Sequence, residues 1–222
     1  MRFIIEIDGP VFDIVPVYHA AHCAVADELG WSHLDLDRFQ RALRNDGANA
    51  NVLPAAKPAK LAAYAARFPE LLETDVSVAS HQAQAGIEND LQRLVDYGSC
   101  IGLTLGFNLE ARLRLLSRSG LTPRFSEVHK LNLDPRRRGG ELKLLANGDQ
   151  RTVVVAASDD LVRAAGGADQ FVVGVVQGAC SKSRLFQAGA AVVYRNFQDF
   201  ADSATSGAAD MIEVGLLPPS LG

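Results

Sequence analysis

Apolar residues fall along this chain in two kinds of run, and the alternation between them predicts its architecture. The first run, FIIEIDGPVFD, sets Phe3, Ile4, Ile5 and Ile7 around Glu6 and ends at Asp8 and a Gly9-Pro10 turn. That reads as a short buried strand that brings acids to its carboxyl end. Similar runs recur at 100–105 (CIGLTL), 152–157, 171–176 and 190–194, with a shorter one at 124–129. Between them the spacing turns helical: Ile87, Leu91, Leu94 and Val95 share one face of a helix over 86–97, and helices follow over 110–119, 141–146 and from 161. Gly98 and Gly120 stop the first two, and Asn147-Gly148 leads into the strand at 152. Strands apolar throughout and joined by helices imply right-handed βαβ units and a parallel sheet covered on both faces. Such sheets bind ligands at the carboxyl ends of their strands.

One stretch departs from this rhythm. Asp13 can cap a helix over 15–29, with Pro16 in its first turn and Gly30 at its end. Over 34–80 the apolar positions Phe39 and Leu43, then Leu61, Tyr64, Ala65 and Phe68, keep helical spacing, broken by Asn45-Asp46-Gly47, Pro54 and Pro58. The expected fold is α/β: a Rossmann-like parallel sheet formed by 1–14 and 82–222, with 15–81 inserted as a helical cap.

Composition narrows the partners. With 222 residues, 48% of them apolar and 22% charged, the chain can bury one sizeable core. A net charge of -4 offers no global field for nucleic acid or an anionic membrane, and Arg136-Arg137-Arg138 reads as a solvated loop. Cys23, Cys100 and Cys180 lie far apart without CxxC spacing, which suits free thiols in a reducing compartment. No leader pattern and no apolar span of 18 residues is visible, so a cytoplasmic location is expected.

The acid-x-Asp-Gly strand end, the Ala26-Asp27-Glu28-Leu29-Gly30 run, the helical insert and the parallel sheet together resemble the haloacid dehalogenase-like superfamily, in particular its phosphoglycolate phosphatase-like branch with a helical cap. The resemblance covers nearly the whole chain and implies four motifs. The nucleophile motif falls on Glu6-Ile7-Asp8-Gly9-Pro10, the strand-end hydroxyl on Thr104, the lysine on Lys130, and the acidic fourth motif on VVVAASDDLVRAAGGADQFVVGV. In that family an Asp attacks a phosphate ester, a second Asp two residues on acts as acid and base, and Mg²⁺ offsets the charge of the phosphate. The implied catalytic residues are therefore Glu6, Asp8, Thr104 and Lys130, and the implied Mg²⁺ ligands Glu6, Asp8, Asp159 and Asp160.

This chain departs from the pattern in ways that bear on chemistry. Glu6 replaces the nucleophilic Asp, which moves the carboxylate by roughly 1.5 Å, one carbon–carbon bond. Pro10 replaces the usual Thr, and Ala157 and Leu161 stand where the fourth motif has acids, with Asp159 and Asp160 between them. Two readings stay open: an impaired phosphatase homologue that binds a phosphorylated ligand or a protein partner, or an active Mg²⁺-dependent phosphatase of small phosphorylated metabolites. Glu6 is expected to be hydrogen-bonded or paired with Lys130 if it has lost its role, Ser158 to cap a helix that Asp159 and Asp160 begin, and His19 and His22 to pack rather than bind metal.

Overall fold

The computed structural model describes residues 1–46, 58–74, 77, 80–105, 108–132, 134–146, 151–168 and 170–206; Gly47, Pro54 and the Asn147-Gly148 turn lie outside them. Six parallel strands form the main sheet. They are β1 (Arg2–Glu6), β4 (Ser99–Leu105), β5 (Glu127–Leu131), β6 (Thr152–Ala156), β7 (Phe171–Val175) and β8 (Val192–Tyr194), in the order β5-β4-β1-β6-β7-β8. Two-stranded β2 (Phe12–Asp13) and β3 (Gln82–Ala83) pair antiparallel outside this sheet.

The chain crosses from β5 to β6 over the central strand β1, so the order reverses there and leaves a crevice beyond its carboxyl end. β1 is apolar on both faces because both are covered. Phe3 and Ile5 join a core with Leu91 and Leu94 of α4 (Ile87–Tyr97) and Phe197 and Phe200 of α9 (Phe197–Ser206). Ile4, on the opposite face, packs with Leu142 of α6 (Pro135–Ala146), Leu161 and Val162 of α7 (Asp159–Gly166) and Leu185 of α8 (Lys182–Ala188). Two-residue alternation puts Glu6 on the Ile4 face, at the end nearest the start of α7.

Between β2 and β3 stand α1 (Val15–Glu28), α2 (Leu36–Asp46) and α3 (Pro58–Leu72). Val17, Ala21 and Val25 pack against Tyr64, Phe68 and Leu72, a hydrophobic cluster separate from the two cores of the sheet. Gln84 ties this junction down: its N–H donates to Val11 O at 2.8 Å and its side-chain amide to Gly9 O at 2.9 Å. At Gly9 (φ 108°) a Cβ would fall 2.7 Å from Gln177 O and 2.9 Å from the Ala157 Cβ. Only glycine lets these three loops meet over the sheet.

Two expectations change. Arg136-Arg137-Arg138 begins a helix rather than forming a loop: Pro135 opens α6 and the Asp134 carboxylate accepts the Arg136 N–H at 3.1 Å. The helix includes Gly139, where a Cβ would lie 3.4 Å from Ala164 O, so its missing side chain admits α7. The segments after β7 and β8, unassigned from sequence, are the helices α8 and α9. No helix among the described residues is long and apolar enough to cross a membrane.

Candidate active site

Beyond the carboxyl ends of β1, β4 and β6 lies a cavity of about 190 Å³, bounded by Glu6, Asp8, Ser158, Asp159 and Asp160 and by the apolar surfaces of Ile14, Tyr18 and Leu105. Five of the six residues expected to carry chemistry thus gather in one place, since Thr104 reaches it through Asp8. Lys130 does not. It is exposed on β5, in register beside Thr104, and is not among the residues lining the cavity.

Glu6 turns toward α7. One carboxylate oxygen, Oε2, accepts the N–H of Ala157 at 2.7 Å and of Ser158 at 3.0 Å. These two amides and the Ser158 hydroxyl, and not Lys130, are its partners, because its extra methylene carries the carboxylate past the strand end to the start of the helix. Burial raises its pKa to about 7 against the pull of the hydrogen bonds from the Ser158 hydroxyl and the two amides, and the nearby charge of Asp8 adds to the rise. Near neutral pH Glu6 is therefore divided between its protonated and ionised forms.

Asp8 is held from two sides. Thr104 Oγ donates to its Oδ2 at 2.7 Å, and the guanidinium of Arg112 lies 2.8 Å from its Oδ1, with both side chains buried. Arg112 comes from α5 (Leu109–Arg118), where it shares the inward face with Ala111, Leu115 and Leu116. It is the largest fully buried side chain among the described residues and was not foreseen from sequence. The signal was present, since Arg112 precedes Leu115 and Leu116 by three and four residues, the spacing of one helical face. A cation on the apolar stripe of a helix must meet an acid inside.

Arg138 repeats the arrangement on α6, in line with the buried Leu142 and Ala146. Its guanidinium donates to Asn132 O at 2.8 Å and to Asp160 Oδ2 at 3.3 Å. Asp159 is taken by Arg184 and Arg163, each 2.9 Å from its Oδ2. Burial opposes the charge of Asp159, but the hydrogen bond and charge of Arg184, then of Arg163, outweigh it and keep its pKa below the usual carboxylate range. Ser158 caps α7 as expected, accepting the Leu161 N–H at 3.3 Å. Leu161 and Ala157 are themselves buried, and Ala157 fills the narrow gap beside Gly9 and Gly178.

Mg²⁺ needs near-octahedral oxygens at about 2.0–2.1 Å, with carboxylates free to approach it. Here each acid at the cavity is already bound to backbone amides, a hydroxyl or a guanidinium, and no group of three His, Cys, Asp or Glu among the described residues could hold a metal ion. The donor set does not fit the ion. His19 and His22 serve packing: His19 Nε2 meets Leu34 O at 2.8 Å, while His22 accepts the Leu34 N–H at 3.2 Å and lies 3.1 Å from the Tyr64 hydroxyl.

The sheet order, the crevice at its centre and the helices inserted after β2 define the fold of the haloacid dehalogenase-like hydrolases. A haloacid dehalogenase-like family hydrolase from Streptococcus pneumoniae superposes with a TM-score of 0.71 over 90% of this chain and 95% of its own, at 10% identity. A protein from Haemophilus somnus described as a phosphoglycolate phosphatase gives 0.67 over 91% and 97%, at 12% identity. One from Thermotoga maritima described as a β-phosphoglucomutase gives 0.61 over 92% and 98%, at 18% identity. No protein-family model matches the chain, and no curated protein matches it by sequence.

Proposed function

We propose that this protein is a haloacid dehalogenase-fold phosphatase homologue that has exchanged hydrolysis for binding: its cavity takes a small ligand or the reactive segment of a partner, under the cap formed by 15–81. The observation that carries the reading is the orientation of Glu6. A nucleophile must present its carboxylate to the phosphorus, yet Glu6 Oε2 is committed to the amides of Ala157 and Ser158. A misplacement near 1 Å costs about 100-fold in rate, and Glu6 is displaced by more than that.

The other roles are also filled internally. An acid–base Asp must exchange protons with the leaving group, whereas Asp8 is ion-paired to Arg112 and hydrogen-bonded to Thr104. The positive charge that a metal would bring is supplied by guanidinium groups, Arg112 on Asp8, Arg138 on Asp160 and Arg184 on Asp159. A phosphorylated ligand would meet four carboxyl groups, three of them paired with cations that are thereby engaged and the fourth, Glu6, held by backbone amides. The cavity therefore favours the uncharged or weakly charged part of a ligand.

Calorimetric titration with Mg²⁺ and with Mn²⁺ tests this reading. We expect no saturable heat at millimolar metal for the wild type or for Glu6→Ala. Saturable binding that disappears in Glu6→Ala would show a working metal site and favour the Mg²⁺-dependent phosphatase.

A further inference from the structure

We propose that Arg184 is a latch: one side of its guanidinium caps the inserted helix α2, the other is anchored on Asp159 at the cavity, and the state of Asp159 thereby sets how firmly the insert closes over it. Arg184 Nη1 donates to Leu43 O at 2.9 Å and approaches Arg44 O and Ala179 O at 3.4 Å. Arg184 Nη2 lies 2.9 Å from Asp159 Oδ2.

Each half of this arrangement has a physical basis. The last carbonyls of a helix have no partner within it and carry the negative end of its dipole, so a cation that donates to them is favoured. Here that cation comes from the sheet-bearing part of the chain. Only a planar fork of donors reaches the carbonyls of α2 and a carboxylate at once. The Ser181 N–H adds a second tie to Arg44 O at 2.9 Å, and Ala179 packs against the buried pair Phe39 and Leu43 of α2. Leu185, fully buried, fixes α8 so that Arg184 cannot simply follow the insert when it moves.

The anchor is part of the cavity wall. Asp159 lines the cavity and also receives Arg163 and, at 3.5 Å, the thiol of Cys180. A ligand that takes the Asp159 carboxylate competes with Arg184 for it, and so acts on α2 without touching it. The latch does not depend on whether the cavity hydrolyses anything.

Two variants of the full chain, Arg184→Met and Asp159→Asn, test the proposal by hydrogen exchange. In both, the amides of α2 should exchange at least about tenfold faster, the factor that loss of a charged hydrogen bond produces, while those of β4 keep their rates. Alkylation of Cys180 by iodoacetamide gives a second reading in Arg184→Met. Cys180 is buried, and burial, then Asp159, pushes its thiol up to about 12. Removing a nearby cation should by itself make the thiol less reactive, so faster labelling reports opening. Cys100, buried in the main core, should not change.

Unchanged exchange of α2 in Arg184→Met would overturn the latch. So would acceleration of β4 and Cys100 in step with α2, which would make Arg184 a support of the whole fold. Acceleration in Arg184→Met without any in Asp159→Asn would overturn the coupling to the cavity.

Discussion

Replacing Glu6 by Gln should stabilise the protein at alkaline pH and leave it unchanged at acid pH, and the size of the effect follows from the setting of the carboxyl group. Its pKa is about 7 in the folded chain against 4.5 for the free group, with burial as the main cause. Below pH 4.5 both folded and unfolded chains carry the proton, and Glu6 contributes no difference. As pH rises from 4.5 to 7 the unfolded chain releases its proton while the folded chain keeps it, so stability falls. Above 7 both are ionised and the full difference remains, about 3 kcal/mol for this shift.

Gln has the same shape and stays neutral, and its side-chain oxygen still accepts the Ala157 and Ser158 amides. Any cost of placing its NH₂ group is the same at every pH. The variant should therefore gain about 3 kcal/mol on wild type between pH 4.5 and pH 8, roughly 6–12 °C in Tm for a chain of this size. Urea unfolding at four pH values would measure it, followed by Trp31 fluorescence in the insert and by far-ultraviolet circular dichroism. Coincidence of the two probes would justify two-state treatment. A variant-to-wild-type difference that stays constant across pH would refute the raised pKa. One that moves against the variant as pH rises would mean that the native protein stabilises the carboxylate, as a nucleophile poised beside a cation requires.

His22 should act in the opposite sense. Burial, then the charges of His19 and His33, lowers its pKa to about 4, so stability present above pH 6.5 is lost as pH falls through 4, by about 3 kcal/mol; His22→Gln should remove that acid loss in urea titrations. The two groups offset each other between pH 4.5 and 6.5, so the wild-type profile should be nearly flat there while Glu6→Gln weakens on acidification. Arg112→Met should destabilise by about 3–5 kcal/mol because it strands the buried Asp8 carboxylate, and adding Asp8→Asn should recover most of the loss in a double-mutant cycle. Gly9→Ala should cost at least about 2 kcal/mol, read as a lower urea midpoint, since the new Cβ meets Gln177 O in a backbone conformation that alanine rarely adopts.

The sheet was largely legible in the sequence because buried parallel strands are apolar throughout. The run at 152–157 became β6 with one residue fewer at its end, and the one at 100–105 became β4 with one residue added at its start. The two helices after β7 and β8 escaped notice because their apolar residues are few and mixed with small ones, as in KSRLFQA. At the site, the acids could be placed by the spacing of the motifs, but their partners could not. Arg112, Arg138 and Arg184 lie 104, 22 and 25 residues from the acids they meet, and only the fold brings them together. Lys130 shows the reverse: its position along the chain suited a phosphate ligand, yet it projects as an exposed residue of β5. Arginines on the inward stripes of α5 and α6 were the one local sign that the acids at the strand ends are internally neutralised.

Phosphate release from a panel of small phosphate esters, with and without Mg²⁺ and beside Glu6→Ala from the same expression host, tests the central claim most directly. A cavity in which each acid is already committed predicts no Mg²⁺-dependent turnover above the Glu6→Ala control. Turnover that requires both Mg²⁺ and Glu6 would contradict the account and establish a phosphatase that works with a rearranged set of acids.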